Sequence, residues 1–101
     1  MDNIYKKCLA TWGVDAQLSQ ATEECAELIV AINHYKRDRI SLDELLEEVA
    51  DVHIMMRQLR CMSQEYFEDW MKLKLERVQR KLDRHVPKEI DIKDHTFGGT
   101  T

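Results

Sequence analysis

The sequence predicts an all-α protein: an antiparallel helical bundle of three long helices plus a short N-terminal helix, completed by oligomerisation. Three observations predict it. Gly and Pro are absent between Gly13 and Pro87, whereas a sheet of that length needs the turns these residues supply. The same stretch is rich in Glu, Leu, Lys, Arg, Ala and Met, all good helix formers. Its apolar residues recur three and four positions apart, the period of a helix with one buried face.

Each element has its own signal. Residues 2–11 read as the short N-terminal helix. The first long helix runs from about Ala16 to Arg37, with Asp15 as its N-cap. The connection Asp38-Arg39-Ile40 is short, which makes the first two long helices an antiparallel hairpin. The second long helix opens at Ser41, where Ser41-Leu-Asp-Glu44 fits a capping box, and runs to about Cys61. Ser63 caps the third, which reaches about His85 before Pro87 stops it. The chain is read as a single domain over 1–101, with 12–85 carrying the motifs and 88–101 a loosely ordered tail ending in Phe97-Gly-Gly-Thr-Thr.

Composition narrows the function. Hydrophobic residues at 44% suffice for a core, and charged residues at 34% keep much of every helix in water. The net charge of −4 argues against a basic coat for nucleic acid. No apolar run is long enough to span a membrane, and the first residues lack the apolar core of a secretory signal. Cys8, Cys25 and Cys61 are odd in number and lack a C-x-x-C spacing, so neither a disulfide framework nor a cysteine zinc site is expected. Free thiols of this kind suit a reducing cytoplasm.

On the first long helix Leu18, Ala21, Cys25, Leu28, Ile29 and Ile32 form an apolar stripe, with Glu24 at its edge and Glu27 a turn further on. On the second, Leu45, Val49, Val52, Met56 and Leu59 form the stripe, with Glu48 at its edge and Asp51 flanking. Glu23 and Glu47 point away. An antiparallel hairpin brings the two E-x-x-[ED] pairs face to face. Four carboxylates at a core edge repel one another and call for a cation. A hard divalent ion such as Mg²⁺ takes oxygen ligands and retains positions for phosphates. A di-iron bundle would want Glu-x-x-His on two helices, and neither pair supplies the His. The competing reading is a solvated acidic face, since Glu is common on exposed helix surfaces.

The third long helix carries the opposite charge. Phe67, Met71, Leu75, Val78 and Leu82 form its expected core stripe, and Lys74, Arg77 and Lys81 share one flank. That flank could hold phosphates. It could equally be solvated or paired with the acidic helices. A basic patch for RNA is disfavoured by sparse aromatic interleaving.

The blocks Trp12-Gly-Val-Asp-Ala-Gln17, Glu23-Glu24-Cys-Ala-Glu27-Leu, Glu47-Glu48-Val-Ala-Asp51-Val and Lys74-Leu-Glu-Arg77 together resemble the MazG-like, all-α nucleoside triphosphate pyrophosphohydrolases. Glu24-x-x-Glu27 and Glu48-x-x-Asp51 match that superfamily's four-carboxylate signature. The resemblance implies cleavage of a nucleoside triphosphate between its α and β phosphates, giving the monophosphate and pyrophosphate. It implies Mg²⁺, with Mn²⁺ as the alternative, held by Glu24, Glu27, Glu48 and Asp51. Glu24 or Glu27 would take the water's proton, Lys74 and Arg77 would grip the phosphate tail, and Trp12 and Gln17 would contact the nucleoside. Trp12 could instead cap the bundle. Met55 stands where some relatives carry an aromatic residue, so the base preferred is left open.

Ile54, Met55, Met62, Tyr66 and Trp70 fall outside the stripes and are expected to pack on another copy, in a homodimer or a dimer of dimers, as the resemblance also implies. The alternative to an enzyme is a non-enzymatic helical interaction module, an oligomer in which acidic and basic flanks pair.

Overall fold

The computed structural model describes residues 2–90 and residue 92. Four helices follow one another: α1 (Asp2–Trp12), α2 (Val14–Lys36), α3 (Leu42–Arg60) and α4 (Gln64–Leu82). Among the described residues there is no strand, so the all-α expectation stands. Among the described residues no helix is long and apolar enough to cross a membrane.

The boundaries have local causes. Gly13 separates α1 from α2 at φ +91°, a backbone conformation that a side chain disfavours. Helix α2 therefore starts earlier than expected. Gly13 stands at its N-cap position with no side-chain cap, and Asp15 falls inside the first turn instead. There its charge still opposes the positive end of the helix dipole. Asp38 adopts φ 58° and closes α2, and the Arg39 amide reaches back to the His34 carbonyl at 2.9 Å. The expected capping box forms: the Glu44 amide donates to Ser41 Oγ at 3.0 Å, and the Ser41 amide donates to the Glu44 carboxylate at 3.0 Å. Ser63 caps α4 by accepting from the Tyr66 amide.

Helices α2 and α3 form the main packed pair, and α1 lies against both. The pair is antiparallel: Gln17 meets Gln58 at one end, while Glu27 meets Glu48 towards the connecting turn. The buried apolar residues are few, Ala21, Ala31 and Met55, accompanied by the polar Gln17 and Gln58. The buried positions of α2 are Gln17, Ala21 and Ala31, and those of α3 are Met55 and Gln58. The expected stripe of α2 is met in part: Ala21 is buried and Cys25 and Leu28 are half-buried, while Leu18, Ile29 and Ile32 are exposed, Ile29 by 61%. On α3 Val49 and Met56 are exposed, whereas Met55, expected on a surface between copies, is buried. Helix α1 packs on α3, where the Arg57 guanidinium lies over the Tyr5 ring, 5.0 Å from its centroid.

Helix α4 behaves differently. Every one of its residues is exposed, including the stripe expected in the core, and it shares no packed face with α1, α2 or α3 among the described residues. Arg60 over the Phe67 ring at 5.8 Å helps tether its first turn. The radius of gyration, 16.8 Å, exceeds the roughly 13 Å of a compact chain of this length. Of the expected tail, residues 88–90 and 92 are exposed and non-helical; the rest lies outside the described residues.

Candidate active site

The hairpin gathers three of the four expected carboxylates. Glu24 and Glu27 come from one turn of α2 and Glu48 from the facing turn of α3, and each offers an oxygen within 4.8 Å of the others. Glu24 and Glu48 are half-buried and Glu27 is exposed. Their neighbours Glu23 and Glu47 are exposed, as expected from the helical register. Asp51 is also exposed and stands outside the group.

The electrostatics centre on Glu48. Its Oε2 is buried with no hydrogen-bond partner. Burial pushes the carboxyl above its ordinary pKa, and the charges of Glu27, Asp51, Glu24 and Glu47 add to the shift. A buried, unpartnered anionic oxygen beside two further carboxylates has the chemistry of a hard-cation ligand set. On Glu24, Oε2 accepts a hydrogen bond from Gln20 Nε2 at 3.1 Å, which orients it. Gln20 was missed in the sequence, although its place one helical turn before Glu24 is the ordinary signal for such a pair.

One cleft borders the group, and a second is linked to it through Gln20. The first, of about 450 Å³, has an apolar floor including Val30 and Ile40, with Glu27, Glu44, Glu47 and Glu48 among its lining. His34 also lines this cleft. The other, of about 440 Å³, is lined by Trp12, Ala16, Gln17 and Gln20, and so connects through Gln20 to Glu24. Trp12 is 62% exposed, a wall of this cleft rather than a cap on the bundle. Gln17 is buried, and its Nε2 donates to Gln58 Oε1 at 2.7 Å. Gln58, also missed, holds the end of the hairpin next to this cleft.

Lys74 and Arg77 are not packed beside the carboxylates of their own chain. Both lie exposed on α4, with Lys74 Nζ 5.9 Å from the Trp70 ring centroid.

No protein-family model, curated protein or solved structure matches the chain.

Proposed function

We propose that the chain is a nucleoside triphosphate pyrophosphohydrolase, with Glu24, Glu27 and Glu48 holding Mg²⁺, or Mn²⁺ in its place, and Asp51 the fourth carboxylate nearby. The observation that carries the reading is the approach of three carboxylates to within 4.8 Å of one another around the buried, unpartnered Oε2 of Glu48. The sequence resemblance supplies the reaction class.

When bound, the ion supplies positive charge that screens the phosphate oxygens and makes a neighbouring water more acidic. The chain's own groups do the rest. Glu24, oriented by Gln20, or Glu27 accepts the proton of the attacking water. The water oxygen bonds to the α-phosphorus, and the bond from that phosphorus to the α–β bridging oxygen breaks. The bridging oxygen leaves with pyrophosphate, and the nucleoside monophosphate remains. The cleft walled by Trp12 offers an indole face to the base. Lys74 and Arg77 supply the cations for the departing phosphates.

Glu48→Gln keeps shape and removes a ligand charge, so turnover should fall by about a hundredfold or more. Glu47→Gln, one residue away on an exposed position, should cost about tenfold or less. Pyrophosphate release by the two folded variants is the comparison; equal losses would sink the ligand assignment.

A further inference from the structure

We propose that the cleft beside Trp12 reads a guanine base, with the side-chain carbonyl oxygens of Gln17 and Gln20 accepting from its N1–H and its 2-amino group. That a nucleotide is the ligand rests on the function proposed above. The polarity of the cleft itself comes from side-chain bonds that need no nucleotide.

Both amides reach the cleft already committed at one end. Gln20 Nε2 donates to Glu24 Oε2 at 3.1 Å. An ionised carboxylate only accepts, so the amine of Gln20 has to face Glu24. Gln58 Nε2 donates to the Met55 sulfur at 3.8 Å, and a thioether likewise only accepts. Gln58 therefore turns its oxygen to α2, where Gln17 Nε2 donates to it at 2.7 Å. Gln17 and Gln58 are only 8% and 2% exposed, so water does not compete for this bond. The oxygen and nitrogen of an amide diverge from one carbon. With both nitrogens held, the oxygens are the atoms left for the cleft that Gln17 and Gln20 line.

A cleft with two acceptors selects a ligand with two donors. Gln17 and Gln20 stand three positions apart, with about 5–6 Å between their Cβ atoms, so their oxygens can meet neighbouring groups of one ring. Trp12 walls the same cleft and supplies a face on which that ring stacks. The volume of about 440 Å³ falls within the roughly 300–1,000 Å³ of small-molecule sites. Among the common bases, guanine alone carries donors at two adjacent positions of one edge. Uracil and thymine offer one ring N–H, and adenine and cytosine one amino group. Glu24 follows one helical turn beyond Gln20, on the side where the nucleotide's phosphates are needed.

Calorimetric titration of the wild-type protein in Mg²⁺ with α,β-methylene triphosphates tests this. A carbon in place of the α–β bridging oxygen keeps each ligand intact. The guanine analogue should bind most tightly. The inosine analogue, which lacks the 2-amino group, and the 2-aminopurine analogue, which lacks the N1–H, should each bind about five- to tenfold more weakly, the equivalent of one hydrogen bond. Adenine, cytosine and uracil analogues should lose at least as much. Gln17→Met removes one acceptor and should close one of the two differences, guanine against inosine or guanine against 2-aminopurine. Three results overturn the proposal and leave the proposed function standing: equal binding of guanine and inosine analogues, tighter binding of another base, or a preference that follows the ribose 2′-hydroxyl. Both differences undiminished in folded Gln17→Met overturn it as well. No binding of any analogue overturns the proposal and the function together.

Discussion

At Glu48 burial and four neighbouring negative charges act in the same direction, against ionisation. The folded carboxyl holds its proton more tightly than the unfolded one. The protein therefore loses stability as pH rises above the ordinary value of 4.5, and the loss persists once the folded group has ionised. In metal-free protein Glu48→Gln should raise the Tm at neutral pH, with the gain fading below pH 4.5. Thermal melts in EDTA across that interval check it; an equal gain at both ends, or a loss at neutral pH, would contradict the account. Glu44 behaves oppositely, since the backbone and hydroxyl of Ser41 hold its carboxyl below 4.5. Its contribution is present above that value and is lost as pH falls through the lowered pKa. The distinction between Glu24 and Glu23, or Glu48 and Glu47, was legible in the sequence. Rotation by about 100° per residue turns one member of each pair outward. The separation of Asp51 was not legible: Glu27, at the same three-residue spacing on α2 and equally exposed, joins the group while Asp51 does not, a difference that the spacing within one helix does not contain.

At the scale of elements, the hairpin and the N-terminal caps of α3 and α4 follow from short-range chemistry, because Ser41, Glu44 and Ser63 act on amides three residues away. The choice of buried faces does not. It depends on how α1, α2 and α3 pack together, which a single helix's periodicity does not contain. Gln17 with Gln58 shows the same limit: each reads as an ordinary polar residue, and only the antiparallel register joins them, burying both. Removing one partner leaves the other's amide unsatisfied. Gln58→Leu alone should therefore cost about 1–3 kcal/mol. Adding Gln17→Leu should cost much less than it does alone, since the pair is then replaced by apolar contact. A double-mutant cycle by urea unfolding reads this coupling; strictly additive losses would mean that the bond contributes nothing to the register.

At the scale of the whole molecule, α4 is the element that a single chain leaves unexplained. Its stripe was legible, but its destination was not, because periodicity identifies a face without identifying what covers it. An assembly that covers it makes stability depend on protein concentration. The Tm should rise measurably over a tenfold increase in concentration. Leu75→Asp, on the exposed face of α4, should abolish that dependence and give a monomer by light scattering. A wild-type monomer of 12.0 kDa at micromolar concentration would contradict it.

The carboxylate group and the basic helix meet in one chemical claim, that water attacks the α-phosphorus of a nucleoside triphosphate. Product analysis after hydrolysis in ¹⁸O-enriched water, across a panel of nucleotides with Mg²⁺ and with EDTA, tests it most directly. The account predicts monophosphate and pyrophosphate in equal amounts, with ¹⁸O on the monophosphate and turnover abolished by EDTA. Orthophosphate as the first product, label on pyrophosphate, turnover indifferent to EDTA, or no hydrolysis of any nucleotide in the panel would contradict it.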